Sequence, residues 1–243
     1  MYAVETEGLI KKYKTKTAVS GLDLAISEGE IYALLGVNGA GKTTTIRMLT
    51  CLSKPTGGKC FVCGKNCVSE MSEVKKIAGI SPQDTAVAEN LTIEENLRLI
   101  CGIYEYSKEK TVSSVEAAIE MFGLEEYKNS RAKTLSGGWK RKLSIAMAMI
   151  GEPKVLFLDE PTLGLDVLAR RELWRVIEKL KGKITIILTT HYMEEAEQLS
   201  DRIGIMINGE LKAEGTLPEL EAQTGEQGLE NVFVKIAEKE GAQ

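Results

Sequence analysis

The chain has 243 residues, 43% of them hydrophobic and 27% charged, with a formal net charge of −4. A chain of this length buries a sizeable core as one large domain or two small ones, and its composition is ordinary for a soluble globular protein. Lys and Arg are dispersed among acids, so no basic stripe points to nucleic acid and no polybasic cluster to a lipid surface; apolar runs such as Leu143–Ile150 fall short of the roughly 20 residues a membrane-spanning helix needs.

The first segment, Met1 to Glu7, is acidic and lacks the basic-then-apolar pattern of a signal peptide, so a cytosolic location is expected. Polar and apolar positions alternate around Leu9-Ile10 and Leu22–Ile26, which predicts half-buried antiparallel strands. Ser27–Glu30 is a turn. Ile31–Leu35 follows as a buried strand that feeds a Gly-rich loop and a helix from about Lys42 to Cys51.

Residues 84–150 are helical in pattern. Thr92 reads as an N-cap with Glu95 as its capping-box partner, and a second amphipathic helix over Val112–Phe122 stops at Gly123. Strands and helices then alternate: strand Val155–Leu158, helix Ala169–Leu180, strand Ile184–Leu188, helix Met193–Leu199, strand Ile203–Ile207. Such alternation implies a parallel sheet with helices on its faces. Leu229–Val234 reads as a small helix packed on the core.

Five cysteines, an odd number without a secretion signal, point to reduced thiols. Cys60, Cys63 and Cys67 are spaced like a metal cluster, but no fourth cysteine lies close by and the chain has one histidine. Gly58–Gly64 is read as a short strand ending at a Gly turn, with zinc as the alternative.

Gly36-Val37-Asn38-Gly39-Ala40-Gly41-Lys42-Thr43 fits G-x-x-x-x-G-K-[ST] and lies between a predicted strand and a predicted helix. Glycines let backbone N–H groups turn inward around phosphate oxygens, and the helix N-terminus adds its dipole. Lys42 is placed to reach the terminal phosphates and the Thr43 hydroxyl to ligate Mg²⁺. The strand 155–158 ends in two carboxylates: Asp159 can complete a Mg²⁺ shell, and Glu160 can polarise an attacking water. His191 follows the strand 184–188 and Thr189-Thr190, at the strand end where open α/β sheets bind ligands, and is read as a γ-phosphate sensor. Gln83, where the core hands over to the helical segment, can touch Mg²⁺ or the attacking water through its amide. Leu135-Ser136-Gly137-Gly138 forms a second phosphate-facing turn. One copy has little prospect of bringing it to the phosphate loop, so two copies sandwiching ATP is the expectation.

Together these pieces resemble the ATP-binding-cassette ATPases from about Val4 to about Leu220. Walker A at 36–43, a Q-loop at Gln83, the signature at Leu135–Gly138, Walker B at 155–160, a D-loop at Gly164-Leu165-Asp166 and a switch histidine at His191 stand in family order. The resemblance implies an α/β P-loop NTPase core with a mostly parallel sheet, an N-terminal antiparallel β subdomain and an inserted α-helical subdomain. As one domain, 1–83 and 151–220 would form the core with the β subdomain, 84–150 the insertion and 221–243 a short tail. ATP and Mg²⁺ are implied, with Thr43, Gln83 and Asp159 toward the metal. Tyr13 would stack on adenine with Val19 nearby, and Gly36, Asn38, Gly39, Ala40, Gly41, Lys42, Thr43 and Thr44 would surround the phosphates. Glu160, His191 and Gln83 would act in hydrolysis. Ser136, Gly137, Gly138 and Asp166 would contact ATP held by a partner copy.

The chain departs from the family pattern at Trp139, where glutamine is usual, and at Val167, where proline is common. The Gly-Leu-Asp D-loop and the Thr189–Glu197 segment look most like exporter subunits. The implied partners are a second ATPase subunit, identical or paralogous, and a separate membrane permease, which would hold the chain at the cytoplasmic face of the membrane; nucleic acid is not expected. The alternative within the fold is a soluble assembly such as iron-sulfur cluster building. A phosphate-loop GTPase or kinase would leave the Ser-Gly-Gly segment unexplained.

Overall fold

The alternation near the start of the chain produces two long antiparallel strands, β1 (Tyr2–Tyr13) and β2 (Lys16–Ser27), in the computed structural model, which describes residues 1–241. The last two residues of the expected 221–243 tail lie outside the described residues. β3 (Ile31–Leu35) runs through the loop into α1 (Lys42–Leu49). β4 (Gly57–Val62) and β5 (Lys65–Asn66) then extend the first pair into a four-stranded antiparallel sheet, ordered β2-β1-β4-β5. The strand expected over 58–64 is therefore β4. It ends in a turn with Cys63 at φ 47° and Gly64 at φ 74°. No cluster of three or more metal-ligating side chains is found among the described residues.

α2 (Met71–Ile77) leads to β6 (Ala78–Ser81), and three helices follow: α3 (Ile93–Ile103), α4 (Lys108–Phe122) and α5 (Gly137–Met149). The remainder alternates as expected: β7 (Val155–Asp159), α6 (Val167–Glu178), β8 (Thr185–Thr190), α7 (Met193–Leu199) and β9 (Arg202–Ile207). β10 (Glu210–Gly215), α8 (Leu217–Thr224) and α9 (Leu229–Gly241) close the chain. The second sheet has the order β10-β9-β3-β8-β7-β6, parallel throughout except for the antiparallel edge strand β10.

β3 explains why the fold has two cores. Successive strand side chains point to opposite faces, so Ile31, Ala33 and Leu35 join the helical core of α3 to α7, while Tyr32 and Leu34 join the core beneath α1 and the antiparallel sheet. Both faces are covered, which accounts for an uninterrupted apolar strand.

Several boundaries shift for local reasons. α4 begins four residues before the expected start because Ser107 accepts from Lys110 N (3.2 Å) as its cap. α6 begins at Val167 because Asp166 accepts from Leu168 N and Ala169 N (2.9 and 3.0 Å). β8 continues to Thr190 because its threonines pair with Leu34 and Leu35 of β3. β6 has no strand-like alternation of its own; its register with β7, Ala78 opposite Val155, makes it a strand. α9 outruns the small helix expected at 229–234, since Val232, Phe233 and Ile236 bury one face.

Candidate nucleotide site

The C-terminal ends of β3, β7 and β8 converge, and each delivers one motif. After β3 the phosphate loop fits only with glycine at two close approaches. A Cβ on Gly36 would collide with the Met206 carbonyl, and one on Gly41, at φ 106°, with the Ala18 carbonyl. No side chain caps α1 and its first turn holds no acid. The bond from Thr45 N to Gly41 O (2.9 Å) spans its first turn, and the N–H groups before it have no intrahelical acceptor. Lys42 Nζ donates to the carbonyls of Gly36 (2.7 Å) and Val37 (3.3 Å) and pairs with Glu160 Oε1 at 3.1 Å.

β7 delivers Asp159, whose Oδ1 accepts from Thr43 Oγ1 (2.9 Å) and from Thr189 Oγ1 (2.6 Å). Glu160 follows in the left-handed region, φ 49°, and its N–H donates to Thr189 Oγ1 (3.0 Å). That conformation costs on the order of 1–3 kcal/mol for a residue with a side chain. It turns the Glu160 carboxylate back over the loop, where His191 Nδ1 lies 2.7 Å from Oε2. The imidazole also packs on Tyr192, with ring centroids 4.1 Å apart.

Residues 38–44, Tyr13, Gln83, Glu160 and His191 bound one pocket of about 480 Å³, joined by Lys16 and Ala18 of β2. Val19 does not line it. The side chain is wholly buried beneath Gly41, and Ala18 takes the lining position that Val19 was expected to share. Gly36 lies behind the pocket and contributes its carbonyl to Lys42. Tyr13 is 46% exposed, with Lys11 Nζ 5.0 Å from its ring centroid. A larger cavity, about 910 Å³, opens at the opposite strand ends between α4 and residues 149–154. It touches none of the motif residues and lies at the end of the sheet where strand carbonyl termini do not converge.

Ser136, Gly137, Gly138 and Asp166 lie away from this pocket. Ser136 is the exposed N-cap of α5, with no side-chain bond into the helix and no acid in the first turn. Gly138 faces Ala169 at the start of α6 so closely that a Cβ there would sit 3.0 Å from that methyl. Asp166 uses its carboxylate to cap α6, which fixes the turn that proline would otherwise stiffen at Val167. Trp139 turns to Tyr127 (centroids 4.6 Å) and lies beneath Lys142 Nζ at 4.3 Å.

Three positions at or beside the candidate site had little or no sequence signal. Thr189 is one of two strand threonines. Arg141 is buried in α5 and donates from Nη1 to Pro82 O and from Nη2 to Gln83 O, each at 2.6 Å, so the signature helix grips the Gln83 segment. Asp159 adds favourable charge nearby, although burial lowers the guanidinium pKa from its ordinary value. Glu195 is wholly buried and accepts from Trp174 Nε1 (3.2 Å). Its Oε2 and the Thr162 hydroxyl have no hydrogen-bond partner. Burial pushes the Glu195 carboxyl up, against the Trp174 indole that donates to it.

The donor set suits a hard cation. The Thr43 hydroxyl and Asp159 carboxylate are oxygen donors held 2.9 Å apart, with the Gln83 amide at the same pocket. The uncapped α1 terminus, Lys42 and Lys16 suit a polyphosphate.

A sequence profile described as "ABC transporter" matches residues 19–163. The daunorubicin/doxorubicin resistance ATP-binding protein DrrA of Streptomyces peucetius is 42% identical over 228 residues, 93% of this chain and 69% of that protein. The human phospholipid-transporting ATPase ABCA3 is 44% identical over 203 residues, 84% of this chain. The chain spans only 12% of the length of that relative. Among solved structures, a dimeric post-hydrolysis state of the ATP-binding cassette MJ0796, bound to ADP and Pi, superimposes with a TM-score of 0.79 at 27% identity, covering 88% of this chain and 98% of that one. With its α/β core, its phosphate loop and these likenesses, the chain belongs to the ABC transporter family as an ATP-binding-cassette ATPase.

Proposed function

We propose that this chain is the ATP-driven subunit of an exporter, acting as a pair of copies that close on ATP and bear on a separate membrane permease at the cytoplasmic face. One observation carries the pairing. Among the described α-helices, α1 and α5 alone lack both a side-chain cap and an acid in the first turn. Both helix ends favour anions. Yet α1 bounds the pocket and α5 does not, so the same phosphates meet both only when a second copy supplies its α5. The dimeric relative with ADP and Pi supports such pairing.

Within that pair, Lys42 and the N–H groups around residues 39–44 hold the phosphate oxygens. Tyr13 stacks on adenine, a contact worth roughly 1–3 kcal/mol where bases stack on aromatic side chains. Glu160 takes a proton from the attacking water while His191 holds its second oxygen. Ser136, Gly137 and Gly138 of one copy meet phosphates bound by the other, with Asp166 beside them. Thr43, Asp159 and Gln83 would hold Mg²⁺, which neutralises charge on the transferring phosphoryl group. Arg141 ties movement at Gln83 to α5, a route from nucleotide to the helical segment. Export is favoured by the relatives' names, a drug-resistance ATP-binding protein and a phospholipid-transporting ATPase.

Detergent extraction with the tagged chain tests the assignment. Co-purification of a membrane protein that raises ATP turnover is expected. Retention of a soluble scaffold alone would move the chain to the non-transport branch of the fold.

A further inference from the structure

The three cysteines of the 60–67 stretch play no part in the nucleotide site, and the structure divides them. Cys63 sits in the β4–β5 turn, half-buried, whereas Cys60 and Cys67 are 1% and 2% exposed. β4 pairs Phe61 with Asn66 and Val62 with Lys65, so the next rung opposes Cys60 and Cys67, closed by Cys67 N donating to Cys60 O at 3.0 Å. Opposed residues on such a rung have Cα atoms about 5.5 Å apart, inside the roughly 4.4–6.8 Å that a disulfide spans. As opposed residues the two side chains share one face of the hairpin, buried in the same core as Cys51, just beyond α1. Cys67 Sγ also donates to the carbonyl of Leu49, the last residue of α1, at 3.5 Å.

We propose that Cys60 and Cys67 form a reversible disulfide in the presence of a peroxide, and that the bridge acts on the phosphate loop through the C-terminal end of α1. Cys60 is the attacking sulfur. Proximity to the Cys67 thiol holds the Cys60 thiol below its ordinary value, and the same proximity, with burial, pushes Cys67 far above its own. The Cys60 thiolate attacks one peroxide oxygen and the O–O bond breaks; with one proton taken up, this leaves a sulfenic acid and water. Cys67 sulfur then displaces the sulfenic oxygen as a second water, taking its own proton with it. Two thiols and one peroxide become one disulfide and two waters.

Access comes from the hairpin itself. β5 is a two-residue strand at the sheet edge, and short edge elements open at a small fraction of the global unfolding free energy. Coupling to the site follows from the lost donor. Once bridged, Cys67 has no S–H for the Leu49 carbonyl, and α1 runs only eight residues from there to Lys42, about 12 Å of helix.

The test treats the full chain with hydrogen peroxide at neutral pH. Intact mass is expected to fall by two hydrogens, titratable thiols from five to three, and peptide mapping to join Cys60 to Cys67; dithiothreitol restores all five. Cys63→Ser should bridge like the parent, and Cys67→Ala should form no 60–67 bridge. ATP affinity of the bridged form should drop several-fold and recover on reduction, an expectation that rests on the nucleotide reading, whereas the bridge is read by mass alone. Five titratable thiols after peroxide, or a bridge mapped to another pair, would overturn the site. A 60–67 bridge with unchanged ATP affinity would overturn the coupling to α1.

Discussion

Lys42 and His191 grip the same carboxylate from opposite sides: Lys42 Nζ lies 3.1 Å from Glu160 Oε1, and His191 Nδ1 lies 2.7 Å from Oε2. Neither contact would exist with Glu160 in ordinary extended backbone. Its φ of 49° swings the side chain off the axis of β7 and toward the loop. The base proposed at Glu160 is thus oriented by Lys42 and His191 together. A change at either partner reaches the base directly.

Glu160→Gln keeps the shape and removes the base. Hydrolysis should fall about 10²–10⁴-fold, with ATP binding retained and a dimer accumulating in ATP. Turnover measurements and size-exclusion chromatography check both halves; a variant that turns over like the parent would remove Glu160 from the chemistry.

Ser136→Arg places a long cation on an exposed helix end away from the pocket. ATP binding by the monomer should stay near the parent value, measured by calorimetry, while ATP-dependent dimerisation is lost. Weakened binding in the monomer would contradict the two-copy site.

Thr189→Val deletes one buried hydroxyl that donates to Asp159 and accepts from Glu160 N. Leaving buried polar partners unmatched costs roughly 1–3 kcal/mol, visible in urea unfolding. Turnover should fall more than apparent ATP affinity, because the hydroxyl sets the positions of Asp159 and Glu160 rather than of the loop glycines. Equal losses in both would point to general damage.

Glu195→Gln tests a buried acid. Its folded pKa is raised by burial, so the folded protein holds a proton that the unfolded chain releases as pH rises through the ordinary carboxylate range near 4.3. The parent therefore loses stability from that pH upward, toward the raised folded value. The neutral amide still accepts from Trp174 Nε1 and escapes that loss. Parent and variant should match near pH 4 and separate in favour of the glutamine near pH 8, by chemical denaturation. A gap that is the same at both pH values would show that Glu195 does not titrate on unfolding.

Much of the site was legible because its parts are local. The glycines of 36–41 and Lys42-Thr43 act through backbone turns within eight residues, and Asp159-Glu160 and His191 mark strand ends. The Thr92–Glu95 capping box was legible for the same reason and is present with both of its bonds. Val19 lies beneath Gly41 while Ala18 lines the pocket, because alternation along β2 decides which neighbour faces it and a one-residue step moves a side chain to the other face. β6 and β10 were missed since their residues take strand form through pairing rather than pattern.

The sequence by itself determined the chemical types, their order and the backbone conformations that glycine spacing dictates. Only the tertiary structure decided which of them meet. Thr43 and Asp159 are 116 residues apart and touch because parallel register sets Leu35 beside Thr190 and Asp159 beside Thr189. The same holds for Arg141 on the Gln83 carbonyl and for Cys67 between Cys60 and Leu49. These contacts depend on strand pairing and helix packing between distant segments, where backbone hydrogen bonds and buried apolar faces, not neighbouring residues, fix the distances.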